Sequence, residues 1–264
     1  MRTLGIVGPD SGEFADRLVD RLDGRVALIR GEQTGDGATD GGVATRREGA
    51  ATTYDLGPDG WHASGEPATL DEVLDRLAPD HDYAVVLDRP EARLVQVAVE
   101  STEAADHDLV VDPDGDLEPV LDLLEGVEPH ETLESLVARV KRSPRADRAG
   151  AIATFTGRVR SKDGEDDAPT EYLEFEKYEG VAERRMRDLE AELEECDGVL
   201  DVLMHHRTGV IPDGEDIVFV VVLAGHRREA FRTVEDGIDR LKEEVPIFKK
   251  EVTTEETFWV HERE

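Results

Sequence analysis

Two domains, each mixing strands and helices, are predicted from three features of this sequence. Short apolar strands alternate with amphipathic helices over residues 1–125, the pattern of a mainly parallel, three-layer α/β domain. A glycine- and acid-containing break, Glu125-Gly126-Val127-Glu128-Pro129, separates that half from residues 126–264. The second half opens on a fresh helix and holds longer strands, one of them almost wholly apolar. A chain of 264 residues has room for two such cores.

The first half begins with an apolar strand, Thr3 to Val7, the loop Gly8-Pro9-Asp10-Ser11-Gly12 and a helix from Glu13 to Leu22 with Phe14, Leu18, Val19 and Leu22 on one side. This is the strand, glycine loop and helix of a P-loop-like domain. The loop is one residue short of the P-loop spacing, and Glu13-Phe14 stand where Lys and Ser or Thr would follow, so an acid faces the place of a triphosphate. Val26 to Arg30 reads as a strand and Gly31 to Gly42 as a glycine- and acid-rich loop. A hairpin is expected around Gly57-Pro58-Asp59-Gly60, then a helix Leu70–Leu77, strands at 82–87, 94–99 and 109–111, and a helix Leu117–Leu124.

The second half should start with a helix over Thr132–Lys141, striped by Leu133, Leu136, Val137 and Val140. The strand Ala149–Arg160 follows, with Arg158 and Arg160 on one face; that pair suits an anion or, equally, protects an exposed edge. A partner strand Tyr172–Tyr178, a helix Val181–Glu195 and a strand Val199–Arg207 come next. His205 and His206 alternate along that strand, so one is expected packed and one exposed. Gly209–Gly214 reads as a turn. The run Asp216–Ala224 is apolar enough for a central strand. It leads into His226-Arg227 at the start of a long helix with Ala230, Phe231, Val234, Ile238 and Leu241 buried; helix starts favour anions. Pro246 stops the helix, and Ile247–Val252 is a strand that sets Lys249 opposite to Phe248 and Lys250.

The formal net charge is -32, from 63 acidic and 31 basic residues, with the acids spread along the whole length. That excludes a general nucleic-acid binder and suits a surface hydrated in concentrated salt. Cys196 is the single cysteine, so no disulfide framework or cysteine zinc cluster forms; it is expected as a small buried hydrophobe. His62, His81 and His107 lack metal-ligand spacing, and no metal is expected. No run approaches the ~18 apolar residues of a membrane span, and Met1-Arg2-Thr3-Leu4-Gly5 has no signal-peptide core, so a cytoplasmic protein is expected.

The lysines are Lys141, Lys162, Lys177, Lys242, Lys249 and Lys250, three of them clustered between 242 and 250. Lys, unlike Arg, is brought into the range of acid–base chemistry by burial or a neighbouring cation. The competing reading is a solvated helix end followed by a charged strand end. His226-Arg227 and Lys242 stand at opposite ends of one helix, which rises roughly 1.5 Å per residue, so two copies of the chain would have to complete a site that uses them all.

Several separated motifs occur in a fixed order: Phe155-Thr156-Gly157-Arg158-Val159-Arg160; His206-Arg207-Thr208-Gly209 with Gly214-Glu215; His226-Arg227 with Ala230-Phe231; Leu241-Lys242 with Val245-Pro246-Ile247-Phe248-Lys249-Lys250-Glu251; and Trp259-Val260. Through them residues 130–264 resemble the large, catalytic subunit of molybdopterin synthase. The resemblance implies an α+β fold of the α/β hammerhead type and a sulfurtransferase that converts cyclic pyranopterin monophosphate into molybdopterin by inserting two sulfurs. It implies a small ubiquitin-like partner whose Gly-Gly tail ends in a thiocarboxylate, and a homodimer of the large chain within a heterotetramer. Lys242 and Lys249 become the catalytic lysines, while Arg160, His226, Arg227, Arg263 and Lys250 form the substrate-binding set, His226 and Arg227 acting across the dimer. No cofactor is implied. Lys177 departs from the family, where a His commonly precedes the Tyr. The ending His261-Glu262-Arg263-Glu264 has no Gly-Gly, so this chain is not expected to be its own sulfur carrier.

The first 125 residues resemble the guanine-nucleotide-binding accessory protein of molybdenum cofactor assembly, in Arg2-Thr3-Leu4-Gly5-Ile6-Val7-Gly8 and Asp82-Tyr83-Ala84-Val85-Val86-Leu87. With the phosphate-binding residues missing, a degenerate domain without nucleotide binding is expected. The alternative to the enzyme is an adaptor in which the first half binds nucleotide and the second is an inert dimerisation platform; Glu13 argues against the former and Lys242 with Lys249 against the latter.

Overall fold

A computed structural model describes residues 1–30, 49–100, 107–162, 164, 167–178, 180–254 and 257–260. The loop expected at Gly31–Gly42 and the candidate Arg263 lie outside the described residues. The chain forms two compact units, Met1–His130 and Glu131–Glu264.

The first unit runs β1 (Arg2–Val7), α1 (Ser11–Arg21), β2 (Val26–Arg30), β3 (Thr52–Gly57), β4 (Gly60–Gly65), α2 (Leu70–Leu77), β5 (Tyr83–Leu87), β6 (Gln96–Val99), β7 (Leu109–Val111) and α3 (Glu118–Gly126). Five strands pair in the order β2-β5-β1-β6-β7, every pair parallel. Alternation assigns their side chains to two cores. Leu4, Ile6, Val85, Leu87, Val97 and Val99 pack on Phe14, Ala15 and Leu18 of α1 and Val120 and Leu124 of α3. Ala27 and Ala84 pack on Leu74 and Ala78 at α2. The sheet is therefore covered on both faces, as the strand–helix alternation predicts. Thr69 caps α2 through a reciprocal pair with Glu72, a device worth about 1 kcal/mol. The β1–α1 turn needs Gly8: its φ is +130°, and a Cβ there would meet the Val99 carbonyl oxygen at 2.2 Å.

Residues 126–130, read from the sequence as the start of the second domain, are bonded into the first unit. Met1 and His130 exchange main-chain hydrogen bonds of 2.8 and 3.2 Å, and His130 Nε2 lies 2.7 Å from Asp75 Oδ1. The hairpin β3–β4 is paired in register from Thr52↔Gly65 to Gly57↔Gly60.

The second unit runs α4 (Leu133–Lys141), a 3-10 turn at Ala146–Arg148, β8 (Ala151–Arg158), β9 (Thr170–Lys177), α5 (Val181–Glu194), β10 (Val199–His206), β11 (Gly209–Pro212), β12 (Asp216–Ala224), α6 (Arg227–Glu244), β13 (Ile247–Thr253) and β14 (Thr257–Val260). It has two antiparallel sheets, β10-β12-β8 and β11-β9-β13-β14. The apolar run of β12 is explained by cover on both faces. Val218, Val220 and Val222 join the core formed with α5 and α6, while Phe219, Val221 and Leu223 pack on Leu136 and Val140 of α4. α5 presents Ala182, Met186, Leu189 and Leu193 at helical spacing to the first of these cores. Helix α6 approaches so closely that a Cβ on Gly237 would stand 3.1 Å from Met204 Cε and 3.2 Å from Val220 Cγ1.

The outer edge of β10 is covered by carboxylates of α5. Glu190 accepts from Met204 N–H at 2.6 Å and Glu194 from Val202 N–H at 3.2 Å, which satisfies ladder groups that would otherwise recruit another strand. Three sequence expectations are corrected in this unit. Gly209–Pro212 is a strand, its register with β9 compensating for a turn-like composition. Phe231 is 67 % exposed, one step off the buried stripe Ala230, Thr233, Val234, Gly237, Ile238 and Leu241. Cys196 is exposed, because α5 ends at Glu194 and the cysteine falls in the turn beyond the apolar stripe.

Candidate active site

Beside α6 in the second unit is a cleft of about 780 Å³. Its apolar wall includes Phe155, Leu173, Phe175, Ile217, Val218, Ile238 and Leu241, and its polar groups are Arg158, Arg160, His206, Lys242, Lys249 and Glu251. Four cations from three places in the chain thus converge on one concave surface of a protein whose formal net charge is -32. Positive charge concentrated against an apolar wall attracts and orients an anion.

Each cation is positioned by a different device. β8 ends at Arg158, and the chain beyond it is held by Val159 N–H to Glu215 O at 2.9 Å and Gly214 N–H to Val159 O at 2.9 Å, which brings Arg160 to the cleft. Arg158 pairs through Nε with Asp216 Oδ1 at 3.2 Å and donates to the Gly214 carbonyl, so it also braces this turn. Lys242 stands in the last turn of α6, two residues before Glu244. That turn is pinned to α5 by a ring of charges: Arg185 binds Glu192 and Glu244, and Arg240 binds the same two acids. The bonds from Arg240 and Arg185 hold the Glu244 carboxyl down at about 2. Pairing in β13 then aims the next cation. Lys249 is registered with Phe175 and Glu251 with Leu173, and both partners line the cleft.

Lys250, on the other face of β13, is absent from the cleft lining. Its Nζ lies 2.7 Å from Glu174 Oε2 and 5.9 Å from the Trp259 ring centre, and the Glu174 hydrogen bond raises its pKa. His226 caps the start of α6 and Arg227 is the first helical residue; both are exposed and neither belongs to the lining. One chain therefore assembles Arg160, Lys242 and Lys249 and leaves His226, Arg227 and Lys250 elsewhere.

Sequence reasoning missed two lining residues. Glu251 accepts from Thr170 Oγ1 at 2.5 Å and puts an acid beside Lys249. The alternation Ile247, Lys249, Glu251 was the available signal. His206, expected only as one of an alternating pair with one histidine packed and one exposed, lines the cleft. Its ring stands edge-on to Phe175 at 4.9 Å, and burial holds its pKa down at about 4. His205 is also packed, half-buried and stacked on Phe219 at 6.3 Å, so neither histidine is exposed. Lys177, the departure from the family pattern, has a side chain only 6 % exposed and pairs with Glu183 at 2.7 Å.

Among the described residues no group of three His, Cys, Asp or Glu side chains is placed to hold a metal, and no helix is long and apolar enough to cross a membrane. The chain matches the family model of the MoaE protein over residues 128–244. It is 54 % identical over 268 residues to a probable molybdopterin synthase of Haloferax volcanii, with the whole of both chains covered. It is 40 % identical over 116 residues to the molybdopterin synthase catalytic subunit of Cereibacter sphaeroides, across 44 % of this chain and 77 % of that one. The crystal structure of molybdopterin synthase from Staphylococcus aureus aligns with a TM-score of 0.45 and 32 % identity, covering 51 % of this chain and 93 % of that one. The similarity to the Haloferax protein runs through both units, so this chain belongs to the molybdopterin synthase family, the sulfur-transferring enzymes of molybdenum cofactor biosynthesis.

Proposed function

We propose that the cationic cleft is where two sulfurs pass from the thiocarboxylate tail of a small ubiquitin-like partner to cyclic pyranopterin monophosphate. The observation that carries this reading is the convergence of Arg160, Lys242 and Lys249 on one cleft of a strongly acidic, lysine-poor protein. Arg160 offers a guanidinium to the phosphate. Lys242 and Lys249 hold the negative thiocarboxylate and supply the proton for the oxygen that departs when the cyclic phosphate opens. Their placement on a helix end and a paired strand keeps the ammonium groups in position without the partner.

His226 and Arg227 complete the phosphate site from a second copy of the chain. Lys242 lies 16 residues further along α6, roughly 24 Å at the helical rise, beyond the reach of one small ligand. The working unit is then a dimer of this chain carrying two small partners, an α/β hammerhead in its second unit, and its setting is the cytoplasm. Lys250 drops out of the substrate set because its charge is matched by Glu174.

The first unit is read as a P-loop-like domain that has lost its ligand. Ser11, the first residue of α1, donates its hydroxyl to Asp88 Oδ1 at 3.0 Å. A carboxylate there, with Glu13 in the first turn, repels a phosphate that the helix start would otherwise attract.

The test of the enzyme reading is dithiolene formation by the purified chain, thiocarboxylated partner and precursor in high salt. Lys242→Ala is expected to lower turnover at least about 100-fold, on the scale of a lost transition-state donor, with the thermal midpoint retained. Unchanged turnover would remove Lys242 from the chemistry.

A further inference from the structure

His206 is the last residue of β10 and lines the cleft while only 6 % exposed. Its Nδ1 lies 2.7 Å from the main-chain oxygen of Arg207. A carbonyl only accepts, so Nδ1 carries the proton and Nε2 the lone pair. Among the described residues this ring hydrogen-bonds through Nδ1. Phe175, packed edge-on to the ring, and Val218, its register partner in β12, fix the imidazole in place and themselves line the cleft. Burial, reinforced by the charge of Lys177, keeps the ring neutral above about pH 4.

The other polar groups divide into two kinds. Arg158, Arg160, Lys242 and Lys249 are donors that suit an anion, and Glu251 is a charged acceptor already bonded to Thr170. Among the described side chains that line the cleft, His206 is the one neutral acceptor within the apolar wall. A lone pair repels phosphate and thiocarboxylate oxygens but receives an N–H or O–H. We infer that His206 Nε2 is a specificity-determining contact that accepts a hydrogen bond from an N–H or O–H of the pterin portion of the substrate, while the cations take its phosphate. The contact orients the uncharged ring system against Phe175 and Val218. The inference rests on the reading of this cleft as the precursor's site.

Equilibrium binding of cyclic pyranopterin monophosphate to the full chain with its small partner tests it. His206→Asn keeps a donor for the Arg207 carbonyl and loses the Nε2 acceptor; His206→Gln keeps an acceptor near Nε2 and loses that donor. His206→Phe preserves the ring against Phe175 and has neither. The expected result is precursor affinity weakened roughly 3- to 10-fold in the Asn and Phe variants, the loss of one hydrogen bond, with the Gln variant near wild type. A purely structural histidine gives the reverse order, since Gln breaks the Arg207 bond and Asn preserves it. That order, or equal affinity in all variants, overturns the inference. Failure of the underlying reading has a separate signature: wild type does not bind the precursor, or Arg160→Ala binds it as tightly as wild type.

Discussion

The β1–α1 turn of the first unit and the cleft of the second carry side chains of opposite charge. At the turn, Gly8 permits the close passage past Val99 and Ser11 starts a helix, the framework of an anion site, yet the Asp88 carboxylate is bonded to the Ser11 hydroxyl. In the cleft no helix start is used, and four cationic side chains face the space. Ligand chemistry follows the side chains that a fold presents more than the fold itself. In a chain this acidic, a region with no specific demand drifts toward carboxylates, and a positive one needs placement by strand register and helix packing.

After Lys242→Ala, the largest effect that bears on this contrast is expected at Arg160. Arg160→Ala should raise the KM for the precursor about tenfold or more and change kcat less, since a phosphate contact is made in the ground state as well as in the transition state. Steady-state kinetics with the thiocarboxylated partner checks this, and a loss confined to kcat would move Arg160 from binding to chemistry.

Glu190 supplies a second comparison, a half-buried carboxylate in the second unit. Burial pushes its pKa up to about 7 from 4.5, against the hydrogen bond from Met204 N–H. A raised acid pKa means that the folded state favours the protonated form, so its contribution to stability is present below about pH 4.5 and is lost as pH rises through about 7. Glu190→Gln keeps an acceptor for the Met204 N–H without the charge. Denaturant unfolding should show it gaining on wild type by roughly 1–3 kcal/mol between pH 5 and pH 8. Parallel pH dependences would mean that the carboxylate is solvated.

The smallest effect is expected at the turn. Titration of the whole protein with GTP and magnesium should give no binding heat in the micromolar range, and Asp88→Asn should leave dithiolene formation unchanged. Micromolar binding by the wild-type protein would erase the contrast between the two regions.

Much of this architecture is legible from residue order. The β12 run Ile217 to Leu223 reads as a central strand because both its faces are covered, and the stripe Ala182, Met186, Leu189, Leu193 reads as α5 because helical spacing makes one apolar face. Alternation along β13 alone separates Lys249 from Lys250. The exposed Phe231 and Cys196 and the strand Gly209–Pro212 were misread because burial and pairing at those positions depend on distant partners.

The sequence by itself determined the two-part α/β organisation, the scarcity of lysine and the motif order that resembles molybdopterin synthase, since periodicity and composition are local properties of the chain. Tertiary structure decided which cations meet. Arg160 and Lys242 are separated by strands β9 to β12 and helix α5, and Lys249 is aimed by its pairing with Phe175 in β9, a register that arises only when the strands associate. It also placed His206 in the cleft lining with its tautomer set by the Arg207 carbonyl and its ring held by Phe175, neither of which the local sequence specifies.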